Sequence, residues 1–194
     1  AILDDSTTKC WGHNAYGQLG RENSSGSNNL IGNEPGEMGD SLVVANFGTG
    51  RFATELYGGH HYNCVKTDDG KIKCFGLNNY GQLGIGSTTN IGDGAGEMGD
   101  PLVHIDFGTL LTGTHVALGN SSGCFRRSNG TVVCLGRNHQ GSLGLGVRAN
   151  SGDDPGEMGD GLAYIDLGTH DKLGFAGREE GIAAKAIVMI NKVG

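Results

Sequence analysis

Long apolar runs and clusters of basic residues are both missing from this 194-residue sequence. A transmembrane helix needs roughly 20 consecutive apolar residues, and no stretch reaches that length, so we predict no membrane insertion. The net charge is −7, which argues against nucleic acid or an anionic membrane surface as the main partner. No segment has a convincing helical period, although the apolar residues 182–193 could form a strand or a short helix.

Motifs that carry catalysis are missing too. The sequence has no nucleophile elbow, no phosphate loop and no paired catalytic carboxylates at a usable spacing. His60 and His61 are adjacent, and neighbouring residues of a strand point to opposite faces, so the two side chains are not expected to share one metal ion. We therefore predict that the protein is not an enzyme and has no catalytic residues, no cofactor and no metal site.

What the sequence does contain is a repeat. The pentapeptide Gly-Glu-Met-Gly-Asp begins at Gly36, Gly96 and Gly156, at two intervals of 60 residues. A fixed period of this size is typical of stacked supersecondary units. Glycine accounts for 38 of the 194 residues and stands at fixed places in each unit, which favours turns between many short strands. We predict one all-β repeat array over residues 1–194, with approximate units 1–63, 64–123 and 124–194, excerpted from a longer chain.

The repeated motif includes two acidic residues and a methionine in each unit. Its defining residues are Glu37, Met38, Asp40, Glu97, Met98, Asp100, Glu157, Met158 and Asp160. Calcium is one interpretation, but it takes six to eight oxygen ligands, and one Glu with one Asp supplies too few. The favoured interpretation is structural. The methionines would fill gaps between neighbouring units, and the carboxylates would accept hydrogen bonds from turn amides.

Two pairs of cysteines recur with the same period, Cys64 with Cys74 and Cys124 with Cys134. Residues 68–70 (Asp-Asp-Gly) suit a three-residue hairpin loop with Gly in the left-handed position, and residues 128–130 suit the same loop. Each register places its two cysteines directly opposite each other, within disulfide reach. We predict two cross-hairpin disulfides. Zinc binding is the alternative, although a ten-residue spacing is not typical of zinc ligands.

The fifth cysteine, Cys10, stands at a truncated end of the repeat. By the repeat register its partner would lie immediately before Ala1, across a hairpin whose loop is residues 4–6. Ser6 takes the place of the loop glycine, which predicts a more strained or differently shaped turn. We predict that Cys10 is bonded to a residue upstream of Ala1. In the last unit both cysteines of the pair are replaced, by Ala184 and Gly194, as expected if each works only with the other.

Each hairpin is followed by the same series of elements: a large apolar residue and Gly, then Asn, then Gly-Gln-Leu-Gly or Gly-Ser-Leu-Gly, a polar loop and an apolar segment that ends in Gly. The large apolar residue is Trp11, Phe75 or Leu135, and we predict that all three belong to the core. The apolar segments predict a last strand in each unit, at residues 42–47, 102–107 and 162–167. The polar loops vary in sequence and are candidate binding surfaces, at residues 21–33, 85–93 and 145–153.

This order of elements resembles the repeat of the regulator-of-chromosome-condensation-1 (RCC1) family, and most closely its cysteine-paired relatives with a Gly-Glu-Met-Gly-Asp insertion. The resemblance covers residues 3–168. It implies a β-propeller with four-stranded blades, usually of seven repeats. Three units imply a partial propeller or an open repeat array. His61 matches the family's His after a pair of glycines, but Ser121 stands there in the next unit, and no residue matches a nucleotide-exchange surface.

Compartment and modification follow from the cysteines and from three glycosylation sequons. Paired cysteines are typical of an oxidising environment, so we expect an extracellular or cell-surface protein. The sequons begin at Asn129, Asn120 and Asn23. Asn129 is the strongest candidate because the predicted hairpin places it at an exposed tip.

The leading hypothesis is a non-enzymatic extracellular structural or protein–protein interaction module, which presents loops from a disulfide-stapled repeat scaffold to a protein partner or to other copies of itself. The first alternative is a glycan-binding lectin, in which Tyr16 and Tyr80 would stack on sugars. The second is an intracellular guanine-nucleotide exchange or adaptor propeller, which the paired cysteines and sequons disfavour.

Overall fold

A computed structural model describes residues 1–22 and 29–168 of the chain. The described residues form eight strands and two short 3₁₀ turns, Gly39–Ser41 and Gly159–Gly161, which confirms the all-β prediction. The strands pair only with antiparallel neighbours. Their bounds are β1 Gly12–His13, β2 Leu30–Ile31, β3 Ala53–Gly58, β4 Tyr62–Thr67, β5 Ile72–Gly76, β6 Gly113–Leu118, β7 Ser122–Arg127 and β8 Val132–Gly136.

Two three-stranded sheets, β3-β4-β5 and β6-β7-β8, repeat each other at an interval of 60 residues. Their central hairpins have the predicted register, in which Cys64 lies opposite Cys74 and Cys124 opposite Cys134. At the first loop the Thr67 amide donates to the Lys71 carbonyl oxygen over 2.9 Å. Gly70 closes this loop with a φ of 78°, in the left-handed region that glycine occupies without strain.

The first strand of each sheet is not evident from the sequence. β3 is an edge strand whose side chains are mostly exposed, so it lacks the alternation of apolar and polar residues that marks a half-buried strand. A register shift between Ala53 and Glu55 blurs the pattern further, because it changes which residues face the core. The same shift occurs in β6 between Gly113 and His115.

The predicted last strand of each unit is reduced to isolated contacts with a neighbouring strand. Residues 102–107 pair with β5 at Lys73 and His104, and the Ile105 amide donates to the Ile72 carbonyl oxygen over 2.8 Å. Residues 162–167 make the corresponding bond to β8, from Ile165 to Val132. The prediction of a regular strand was therefore wrong. Tight turns at each end leave room for few ladder bonds. Residues 102–107 and 162–167 therefore lie beside β5 and β8 as an irregular fourth segment of each three-stranded sheet.

The core lies between neighbouring blades as well as within them. One cluster joins the first two units and contains Ala45, Phe47, Ala53, Val65, Phe75, Met98 and Leu102. A second cluster joins the second and third units and includes Ile72, Leu83, Ile105, Phe107, Phe125 and Leu135. In both clusters an aromatic pair crosses the junction, Phe47 with Phe75 and Phe107 with Phe125, at ring-centroid distances of 6.0 and 5.6 Å. Stacking of the repeats therefore buries the apolar residues that no single blade could cover alone.

Candidate interaction surfaces

In the second and third units a buried asparagine holds the polar loop by its backbone. Nδ2 of Asn78 donates to the carbonyl oxygens of Ser87 and Thr89, over 2.7 and 2.9 Å, and Oδ1 accepts from the Leu83 amide over 2.9 Å. The same three bonds recur in the next unit, from Asn138 to Val147, Ala149 and Leu143. Because the bonds reach only main-chain atoms, they set the course of the loop without restricting its side chains.

The repeated glutamates secure the other end of each loop. Oε2 of Glu97 accepts hydrogen bonds from the amides of Gly92 and Gly94, over 2.8 and 2.7 Å. Glu157 binds three successive amides through one oxygen, at Gly152, Asp153 and Asp154. Glu37 does the same at Gly32, Asn33 and Glu34. These amide donors, with Glu34 first, hold the pKa of Glu37 below its ordinary value.

The repeated aspartates join one unit to the next. Asp100 accepts hydrogen bonds from the amide and hydroxyl of Thr49, over 2.6 and 2.7 Å, and Asp160 accepts the same pair from Thr109. These bonds lower the pKa of both aspartates. Met98 crosses the same junction, where it is buried in the cluster around Phe75. The three glutamates, the two aspartates and Met98 thus have the structural contacts that the sequence interpretation requires. Met38, in contrast, is 43% exposed and lies in neither core cluster, so among the described residues it does not fill a gap between units, contrary to the prediction.

The three residues of the segment that this asparagine holds differ completely between the two units. They are Ser87, Thr88 and Thr89 in one loop and Val147, Arg148 and Ala149 in the next, and they are half-buried or exposed. The flanking Gly, Asn, Gly and Asp are the same in both loops. The two equivalent loops therefore present different side chains on the same backbone course.

Disulfides join Cys64 to Cys74 and Cys124 to Cys134, and the four cysteines are buried. Cys10 is a free, half-buried thiol whose pKa is raised by burial. Ala1 and Lys9 pair through two main-chain hydrogen bonds of 2.8 and 3.0 Å, so the residue before Ala1 would lie opposite Cys10. The bridge from Cys10 to an upstream residue stays a prediction.

The hairpin loop beside Cys10 has the shape of the other two. The Leu3 amide donates to the Thr7 carbonyl oxygen over 2.8 Å, as Thr67 does to Lys71. Ser6 takes a φ of 67°, which is the left-handed conformation adopted by Gly70. The loop therefore keeps its form and places a side chain where the other loops have none, with the strain that the sequence predicted.

Two of the three sequons lie in the described residues. Asn129 is exposed at the tip of the β7–β8 hairpin, and its Oδ1 accepts hydrogen bonds from the amide and hydroxyl of Thr131, over 3.1 and 2.8 Å. Asn120 is exposed in the β6–β7 turn. Asn23 lies outside the described residues, as do the apolar run 182–193 and the substituted pair of the last unit.

The two adjacent histidines are closer than their sequence predicted. Their rings are 3.8 Å apart between centroids, because His60 and His61 lie in the tight turn between β3 and β4, where the alternation of a strand does not apply. His13 and Tyr16 of the first unit approach His61, at 5.8 and 5.1 Å. Burial, and then the charges of His60 and His13, lower the pKa of His61. Within the described residues, no group of three His, Cys, Asp or Glu side chains has the arrangement of a metal site.

The tyrosines proposed for sugar stacking are half-buried and already in contact with other side chains. Tyr16 packs against His61, and the guanidinium of Arg137 lies 4.9 Å above the ring centre of Tyr80. A sugar would have to displace these groups to reach an aromatic face. The contacts therefore count against the lectin hypothesis.

Trp11 is not a core residue, contrary to the prediction. Its side chain is 53% exposed, whereas the equivalent Phe75 and Leu135 are 1% and 0% exposed. Phe75 is covered by Phe47 of the unit before it, and among the described residues no equivalent side chain lies over Trp11. Sequence equivalence gave the same expectation for all three residues, but burial depends on what stands on the other side of the junction.

No protein-family profile matches the chain. Solved structures similar to it include yeast RCC1 (Prp20) bound to Kap60, human WBSCR16, and Prp20p from Saccharomyces cerevisiae. The last is described together with the binding of Prp20p to Gsp1p and histones. Sequence identities are 18%, 20% and 21%, each TM-score is 0.49, and the matches cover 70%, 72% and 70% of this chain. They cover 26%, 32% and 27% of those proteins, so the chain spans only about a quarter to a third of their length. Likeness at these identities and TM-scores carries no statement about the function of this chain. No helix among residues 1–22 and 29–168 has the length and apolar character to cross a membrane.

Proposed function

We propose that this chain is a non-enzymatic, extracellular protein-interaction module that presents its polar loops from a rigid repeat scaffold. One observation carries the proposal: the side chains of Asn78 and Asn138 hold equivalent loop segments by their main-chain carbonyls alone, while the three residues of the held segment change completely between the two loops. A scaffold of this kind allows the contact side chains to vary with little effect on folding. Repeat proteins typically bind partners through such equivalent loops.

A location outside the cytosol is supported by the cysteines. Both bridges are buried and join neighbouring strands, so they add to the stability of their blades, and such bonds persist in oxidising compartments. The Asn129 sequon at an exposed hairpin tip fits the same route. Peptide mapping of the native protein under non-reducing conditions tests this part of the proposal. Five free thiols would contradict it and favour the intracellular alternative, whereas two bridged pairs and a glycan at Asn129 would support it.

The interaction role is tested by exchanging loop side chains. A chain in which residues 87–89 become Val-Arg-Ala, as in the third unit, should keep its melting temperature within about 2 °C, because the anchoring bonds use only the backbone. Binders selected from a peptide display library against the native chain should include a set whose affinity falls at least about tenfold on this exchange. The matched control is the reciprocal exchange at residues 147–149.

Two results would contradict the interaction role. One is a large loss of stability on exchange, which would show that the loop side chains serve folding. The other is a complete absence of selected binders that respond to either exchange. A glycan array is the companion assay for the lectin alternative, and we expect no signal above background because Tyr16 and Tyr80 are already packed against His61 and Arg137.

A further inference from the structure

The junction between the first and second units contains a cluster of three histidines. His13 lies in β1, whereas His60 and His61 lie in the turn between β3 and β4. The ring of His61 lies 5.8 Å from that of His13 and 3.8 Å from that of His60, between centroids. The main-chain carbonyl oxygen of Gln18 accepts a hydrogen bond from Nδ2 of Asn63 over 2.7 Å, which joins the Gly-Gln-Leu-Gly corner of the first unit to β4. The cluster therefore lies where one unit contacts the next.

The side chain of Gln18 determines where His13 carries its proton. Oε1 of this buried side chain accepts a hydrogen bond from the Tyr16 amide over 2.9 Å, so its Nε2 faces Nδ1 of His13, which is also 2.9 Å away. An amide nitrogen can only donate, so Nδ1 accepts and the neutral ring has its proton on Nε2. A second proton, on Nδ1, would set one donor against another and break this bond. The observed contact therefore requires a neutral His13.

The surroundings of His61 also disfavour a positive charge. Burial acts first in lowering its pKa, and the charges of His60 and His13 act in the same direction. Asp93 is the acidic residue of the second-unit segment that packs on the corner, and its carboxylate accepts a hydrogen bond from Nδ2 of Asn90 over 3.2 Å. Because the three rings lie so close together, each proton that one ring gains opposes a proton on the others.

The equivalent positions of the second junction carry no histidine. They are occupied by uncharged residues, Leu77, Asn120 and Ser121. Oε1 of Gln82 again accepts a hydrogen bond from the Tyr80 amide over 2.9 Å, but its Nε2 donates to Oδ1 of Asn79 over 3.4 Å. Arg137, whose guanidinium lies over Tyr80, stays charged throughout the neutral and acidic range. The two junctions thus share one corner and differ in whether a histidine proton can act on it.

We propose that the first junction is a pH-sensitive contact, which is closed while His13 and His61 are neutral and opens when they gain protons. Protonation removes the hydrogen bond from Gln18 to His13, and the like charges then push the corner away from the β3–β4 turn. The folded-state pKa of His61 is lowered, so its contribution to stability is complete above the ordinary value of 6.5 and is lost as the pH falls through the folded-state pKa. Aspartate and glutamate have ordinary pKa values of 3.8 and 4.5, so they stay charged in the range where histidine titrates.

The test is amide hydrogen exchange of the whole chain at about pH 7.5 and about pH 5.5, with rates corrected for the intrinsic effect of pH. Protection of residues 16–20, the first corner, should fall about five- to tenfold in acid, the factor that corresponds to one hydrogen bond. Residues 80–84 form the second corner and are the control within the same molecule, so their protection should not change. Unchanged protection of the first corner, or an equal loss at both corners, would overturn the proposal.

A graft of the second junction onto the first identifies the groups responsible. The variant with His13→Leu, His60→Asn and His61→Ser should keep its protection at residues 16–20 in acid, because it has no ring to protonate there. His104→Tyr is the matched control, since it removes a histidine outside the cluster and introduces the residue of the third unit. It should lose protection at the first corner as wild type does. An acid response that persists in the graft, or that disappears in the control, would assign the effect to other groups and overturn the proposal.

Gln18→Glu reverses the sign of the effect and gives the decisive result. A carboxylate at this position accepts a hydrogen bond from Nδ1–H of a protonated His13, so protection of the first corner should rise as the pH falls. If Gln18 only fills space, the variant should respond to acid as wild type does, and that outcome would contradict the proposal. Circular dichroism at neutral pH checks the folding of each variant. If Gln18→Glu is unfolded, His13→Leu alone takes its place and should abolish most of the acid response at residues 16–20.

Discussion

Methionine occupies the same position in all three units, and truncating each one to alanine measures what lies across its junction. Met98 is 4% exposed and packs in the cluster with Phe47 and Phe75, and its Cε atom would lie 2.9 Å from a Cβ atom on Gly20. Met98→Ala removes most of a buried side chain and leaves a cavity between two units. Substitutions of this kind cost 2–5 kcal/mol, so we expect a loss of about 3 kcal/mol in the free energy of unfolding.

The matched control is Met38→Ala. Met38 is 43% exposed, so its truncation should change the free energy of unfolding by less than about 0.5 kcal/mol. Met158 is half-buried and packs against the second cluster, so Met158→Ala should fall between the other two.

Urea denaturation followed by circular dichroism gives the three free energies, and a loss of 3 kcal/mol also corresponds to a fall of about 6–12 °C in melting temperature. Fluorescence of Trp11, the only tryptophan in the sequence, reports the first unit separately and shows whether the units unfold together. Equal losses for the three variants, or a larger loss for Met38→Ala than for Met98→Ala, would refute the reasoning. Either result would mean that burial between units does not set the contribution of this residue.

Three further predictions concern strain, bridges and acid. Ser6→Gly and Leu110→Gly should each raise the free energy of unfolding by about 0.5–1 kcal/mol, because both residues have a positive φ that glycine adopts without strain; a loss of stability in either would count against this. Replacing Cys124 and Cys134 together by serine should cost about 2–3 kcal/mol in urea denaturation, and an unchanged midpoint would show that the bridge is dispensable. Hydrogen bonds from Thr49 lower the pKa of Asp100. These bonds therefore stabilise the folded state fully above the ordinary carboxyl pKa of 3.8, and their contribution is lost as the pH falls through the folded-state pKa. Asp100→Asn should therefore flatten the decline in melting temperature below about pH 4, and an unaltered pH profile would exclude this carboxylate as the source.

Hairpin registers could be read from the sequence because they depend on residues close together in the chain. The three-residue loop ending at Gly70 allows one register, and that register places Cys64 opposite Cys74. The role of Glu97 was accessible for the same reason, since its partners Gly92 and Gly94 are only a few residues away. Edge strand β3 was missed because its exposed side chains carry no periodic signal.

Contacts that cross a junction were decided by the tertiary structure. From their repeat position alone, Trp11 and Phe75 are both expected in the core. One is exposed and the other buried, because burial depends on a neighbouring unit and not on the residue itself. The approach of His13 to His61, and of Arg137 to Tyr80, likewise joins residues about 50 positions apart that no local pattern connects. Repetition determines which elements recur and how each turn closes, whereas stacking determines which of the recurring side chains are covered.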